Sequence, residues 1–167
     1  MKSVTDQLAQ YAGYHRSRRN IATHLVGIPL IVWSIAVLLA RPSITIGLAA
    51  ISPSSLVFAI LIVYYVLLDA VLGLYMAACL GVLLVLASWT ADLPTVARIA
   101  TGIAAFVIGW AFQFLGHWYE GRKPAFVDDI IGLAIGPLFV GVELLFLLGF
   151  RKQLAQAIDA IAGPVRA

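Results

Sequence analysis

The stretch LVFAILIVYYVLLDAVLGLYMAACLGVLLVLASW, from Leu56 to Trp89, holds one charged residue, Asp69. Crossing about 30 Å of hydrocarbon takes roughly 20 helical residues, so this run is long enough for two crossings. No polar loop divides it, and the break is expected near Asp69 and Gly73 as a tight coupling of two helices. Outward from this centre, apolar runs recur at Ile21 to Ala40, Val96 to Leu115 and Ile130 to Phe150. Pro42 and Pro53 bracket a shorter one, Ile44 to Ile51, which is too short to cross and fits a re-entrant or interfacial piece. The fold expected is all-α, a polytopic transmembrane helical bundle of about five spans, with four or six left open by the ambiguous middle. It forms a single membrane domain over residues 1–167, divided into a polar segment 1–20, a bundle 21–150 and an amphipathic tail 151–167.

Composition agrees. The chain is 62% hydrophobic and 11% charged, with a mean hydropathy of +1.00, whereas a water-soluble domain keeps about 25% of its residues charged. The formal charge of +3 and pI near 9.2 suit basic flanks of membrane helices, and no nucleic-acid motif accompanies them. Arg16, Arg18 and Arg19 precede the first span and Arg122 and Lys123 follow the fourth, which assigns both clusters to the cytoplasmic face. Arg151 and Lys152 fall on the opposite face and argue against that orientation. The first twenty residues have no apolar core of their own and do not read as a cleavable signal. Cys79, the single cysteine, has no partner for an internal disulfide and is expected to be buried. Internal repeats are absent, and the tail from Arg151 ends as a short interfacial helix at Gly163-Pro164.

In so apolar a chain the few metal-competent side chains stand out. His15, His24 and His117 are the only histidines, and they lie at the edges of apolar runs beside Asn20, Gln113 and Glu120. Four crossings separate the start of the first span from the end of the fourth, which returns His117 to the side of His15 and His24. His15 and His24 are nine residues apart and would face opposite ways on one straight helix, so a shared ion demands a bend between them. Asn20 is a good N-cap, which places that bend around Ser17 to Asn20. Gln113, His117 and Glu120 follow the four-then-three spacing of one helical stripe, with Gly116 leaving room for a neighbouring backbone. A histidine and a glutamate three apart is how helical bundles aim two ligands at one metal. Against this stands the plainer reading that histidine and arginine are ordinary anchors at helix ends. Neutral imidazole suits zinc, copper, iron or nickel, and a carboxylate with open positions favours non-haem iron.

Asp69 and Glu143 sit inside apolar runs, where an ionisable group is costly; each is either a functional group or a hydrogen-bonded tie between helices. Asp128 and Asp129 suit the start of the last span.

Together, Tyr14-His15 with Asn20, His24, Gly27 and Pro29, then Gln113, Gly116-His117 and Glu120, Pro124-Ala125, and Gly136-Pro137 before Glu143 resemble the membrane family of yeast 2-hydroxy fatty acid dioxygenase. The resemblance runs from Tyr14 to Glu143. It implies an Fe(II)-dependent dioxygenase of fatty acid α-oxidation, turning a 2-hydroxy fatty acid and dioxygen into the acid one carbon shorter. On that reading His15, His24 and His117 are the metal ligands, Glu120 is a ligand or holds an imidazole, and Asn20 and Gln113 support the site. Arg16 or Arg19 attracts the substrate carboxylate or anchors the chain. The host membrane would be the inner membrane in a bacterium or the endoplasmic reticulum in a eukaryote, with the metal near the cytoplasmic face. Two readings of other classes compete: a small-solute or lipid transporter working through Asp69 and Glu143, and a haem-binding electron carrier with two facing axial histidines.

Overall fold

A computed structural model describes residues 2–47, 49–125 and 130–166; the expectation for Asp128 and Asp129 lies outside them. The described chain is helical apart from one small hairpin, in the order α1 (Val4–Ala12), α2 (Arg18–Leu38), β1 (Ile44–Ile46), β2 (Ala49–Ile51), α3 (Pro53–Leu68), α4 (Ala70–Ser88), α5 (Thr95–Glu120), α6 (Gly132–Leu147) and α7 (Lys152–Ala162). It divides into two compact units, residues 1–28 with 110–167 and residues 29–109.

In the unit 29–109, the long central run folds as expected into two helices joined at Asp69. Asp69 ends α3 and begins α4 in an extended conformation, its carboxylate accepting from the Leu72 amide at 2.8 Å. That side-chain cap satisfies one of the amides a new helix leaves open. Gly73 lets α4 lie directly on α3, since a Cβ there would come within 2.5 Å of the Val66 backbone. A single polar residue therefore suffices to turn the chain. The segment between Pro42 and Pro53 is an antiparallel hairpin, Ile44 opposite Ile51; its short apolar run satisfies its backbone by pairing across a turn at Gly47 (φ 61°). α3 starts with a capping box at Ser52 and a proline at its first turn. Buried Arg98 donates to the carbonyls of Val37 (3.2 Å) and Leu38 (3.4 Å), closing the end of α2.

Three helices, α2, α4 and α5, are long and apolar enough to cross a membrane, and a fourth span results if α6 and α7 count as one bent pair. All five expected apolar helices exist, but two are shorter than foreseen. At 16 residues each, α3 and α6 rise about 24 Å, less than the hydrocarbon thickness. α6 stops at Gly149 (φ 83°), where the Phe150 amide bonds back to Leu145 O at 2.9 Å, the 6→1 bond of a Schellman end. The chain then turns by 120° into α7.

The unit 1–28 with 110–167 brings α1, α6 and α7 together. α1 is set by a capping box between Ser3 and Asp6, and it buries Leu8, Ala9, Tyr11 and Ala12 against α6 and α7. α7 ends at Gly163, as the sequence foretold, but its apolar side, with Ile158 buried, packs on α1.

Candidate metal centre

Three histidines from three segments converge in this unit. His15 follows α1 in a short turn, its amide bonded to Ala12 O at 2.9 Å; His24 lies nearly two turns inside α2 and His117 near the end of α5. The turn supplies the bend that His15 and His24 require. Their ring centroids are 4.6 Å apart, and each lies 5.0 Å from that of His117. One ring nitrogen from each falls within 4.8 Å of the others. His15 and His24 are fully buried and His117 nearly so.

The hydrogen bonds fix which nitrogens face inward. His15 Nδ1 lies 2.7 Å from Tyr11 O and His24 Nδ1 lies 2.9 Å from Asn20 O. A carbonyl oxygen can only accept, so both Nδ1 atoms carry the proton. The two Nε2 atoms, 3.1 Å apart, then present lone pairs to each other, an arrangement that repels unless a cation lies between them. Two nitrogens bound at right angles to one ion, each about 2.1 Å away, would be about 3 Å apart, so the residues present fit a metal. His117 interacts with the Arg122 main chain, and its Nδ1 is buried with no hydrogen-bond partner. Burial pushes the His15 imidazole down to about 3, keeping it neutral and able to act as a ligand. Tyr11 stacks flat on His15 at 4.2 Å and 8°, with Phe139 tilted beside it at 5.4 Å.

Glu120 is tied up elsewhere. Its Oε2 accepts from the amides of Arg16 (3.0 Å) and Ser17 (2.7 Å) and from Asn20 Nδ2 (3.0 Å), while Oε1 takes Arg166. These contacts leave it holding the His15 turn and the start of α2 rather than replacing a histidine. Asn20 is not the N-cap foreseen from sequence, because α2 already begins at Arg18 and Glu120 supplies the acceptor for the amides ahead of it. Asn20 instead links Glu120 and Tyr14 O through its side chain and His24 through its carbonyl. Gln113 is buried near His117 on α5, and its Nε2 has no partner.

Arg16 neither anchors nor faces a substrate: it is buried, bonded to Asp159 at 2.8 Å and to Gly163 O at 2.6 Å. Arg19 sits over the Tyr119 ring at 5.7 Å. Glu143 lies in the fields of Arg16 and Asp159, outside the histidine cluster, and Asp69 caps α4. Cys79 is half-buried. Centroids 4.6 Å apart leave no room for a macrocycle between the His15 and His24 rings, as an axial haem pair would need. Arg98, Asp159 and Arg166 receive no role from the sequence, where Asp159 reads only as a polar residue of the amphipathic tail. Charge in a membrane helix could have flagged Arg98; nothing local marks the other two.

Residues 1–148 match the model of the Mpo1-like family, described as 2-hydroxy-palmitic acid dioxygenase Mpo1-like. The chain belongs to the Mpo1-like family. Among its relatives is the protein named 2-hydroxy-palmitic acid dioxygenase MPO1 of Saccharomyces cerevisiae, 34% identical over 158 residues, covering 93% of this chain and 87% of the yeast protein. No solved structure matches. The family match ends within the segment that joins α6 to α7, so α7 and the tail of this Mpo1-like chain lie beyond it.

Proposed function

We propose that this protein is an Fe(II)-dependent dioxygenase that converts a 2-hydroxy fatty acid to the fatty acid one carbon shorter, releasing the carboxyl carbon. The observation that carries the reading is the pair of unprotonated Nε2 atoms facing each other at 3.1 Å beside His117. Family membership supplies the substrate class, because the yeast relative's name specifies 2-hydroxy-palmitic acid.

His15, His24 and His117 would hold the iron, which when bound supplies the redox chemistry that dioxygen requires. Tyr11 and Phe139 keep the His15 ring in place and exclude water from its faces. The Tyr11 and Asn20 carbonyls fix the tautomers of His15 and His24, as outer partners of ligating imidazoles commonly do. Gln113, with its unpaired Nε2, offers a donor to a substrate carboxylate oxygen. Several apolar helices fit a membrane protein, and lipid-dissolved acyl chains reach such a protein without crossing water.

The test is to purify the full chain without oxygen, determine its metal, and supply carboxyl-labelled 2-hydroxy-palmitic acid with dioxygen. Mass spectrometry is expected to find the acid one carbon shorter, with the label lost, and none from the His15→Ala, His24→Ala or His117→Ala proteins. Full turnover by all three variants would refute the reading.

A further inference from the structure

The turn that carries His15 is gripped from outside by the far end of the chain. The Arg166 amide donates to Arg16 O at 2.6 Å and the Arg18 amide donates to Arg166 O at 3.0 Å, a short parallel bridge between Ser17 and Arg166. The Arg166 guanidinium takes Glu120 Oε1, whose other oxygen holds the Arg16 and Ser17 amides. Arg16 reaches back in turn. Its Nη1 bonds Asp159 Oδ1 and Gly163 O, and its Nε bonds Ala12 O at 3.0 Å and His15 O at 3.3 Å. Two arginines thus cross-link the tail, Glu120 and both sides of the His15 turn. α7 underlies this, packed on α1, the helix that delivers His15.

We infer that α7 and the tail through Arg166 form a clamp that sets the position of His15 in the metal centre, with Arg166, Asp159 and Arg16 as positioning residues. None of the three belongs to the histidine cluster; they act through the main chain of residues 15–18 and through Glu120. Glu120 alone would leave one carboxylate oxygen without its cationic partner, and the turn would then be fixed from one side only. Asp159 and Arg166 lie beyond the family-matched residues, which end at 148, whereas the three histidines lie within them.

The inference rests on the metal-centre reading, and cobalt(II) separates the two. The full chain in detergent is titrated with cobalt(II) against a competing chelator, recording the visible band that reports ligand geometry. The parent is expected to bind one cobalt. Arg166→Ala and Asp159→Ala are expected to bind it roughly 10- to 100-fold more weakly, as for other outer partners of metal ligands, and to alter the band while circular dichroism stays unchanged. Arg166→Lys, which keeps the charge facing Glu120, should regain part of the loss, and exposed Lys152→Ala should behave as the parent. Affinity and band equal to the parent in both alanine variants would overturn the clamp while leaving the metal centre standing. Failure of the parent itself to bind cobalt would overturn both. Should Arg166→Ala fail to fold, Asp159→Ala decides, since its carboxylate is half exposed and its loss leaves the Arg166 contacts in place.

Discussion

A methyl group at Gly116 would sit 2.2 Å from Thr23 Oγ1, 2.8 Å from Asn20 Oδ1 and 2.9 Å from His24 Nδ1. Gly116 is therefore where α5 meets α2, and Gly116→Ala must push apart the two helices that carry His24 and His117. Its cost is expected to be about 1–3 kcal/mol, as for other overpacked sites, read as a lower thermal midpoint together with weaker metal binding. Glu120→Ala strands four donors, the Arg16 and Ser17 amides, Asn20 Nδ2 and the Arg166 guanidinium. Arg166 itself is largely exposed, so the loss lies in the buried donors left unpaired, at about 1–3 kcal/mol each, and denaturant titration should find this variant clearly less stable than the parent; Glu120→Gln, which keeps an acceptor oxygen, should lose less. Protonation follows from His15. An unfolded imidazole titrates near 6.5 and the folded one near 3, so between those values the unfolded chain binds more protons and stability falls as the pH drops. The melting temperature of metal-free protein is expected to decline from about pH 6.5 towards pH 3, and His15→Phe should flatten that slope.

Elements with strong local signals were legible before the structure: the apolar runs became α2 to α6, and the break at Asp69 and the stop at Gly163 fell where they were read. What the sequence could not display was support from far along the chain. α2 starts at Arg18 because a carboxylate a hundred residues away serves the amides ahead of it, so a local N-cap at Asn20 was the wrong inference from a sound rule. The short hairpin was missed because three-residue strands carry almost no periodicity. Of the site, the three histidines and Asn20, Gln113 and Glu120 were readable as scarce polar groups in an apolar chain, but the role of Glu120 was decided by partners, Arg166 above all, that no spacing connects to it. At this scale Asp69→Ala is expected to lower stability by about 1 kcal/mol through loss of the α4 cap, whereas Asp69→Asn should keep most of it; thermal melts in detergent distinguish the two.

For the whole molecule, the large apolar side chains left exposed, among them Ile60 (71%), Leu67 (68%) and Val71 (66%), match a chain whose surroundings are lipid. On the proposed reading, a metal is a ligand of the native state alone. Cobalt(II) at a hundred times its dissociation constant should stabilise the protein by about 2.7 kcal/mol, and a chelator should reverse the gain. His24→Ala should abolish the response without abolishing helix content, because α2 does not depend on that side chain for its backbone bonds.

The carbonyls of Tyr11 and Asn20 that hold two imidazole N–H groups have a spectroscopic corollary. Protons sequestered in this way exchange slowly with solvent and resonate far downfield, so nitrogen-15 labelling of histidine should yield two persistent N–H signals. Their nitrogen shifts would report the tautomers directly. The centre thus contains its own reporters, able to follow an ion's arrival in a membrane-embedded protein without an added probe.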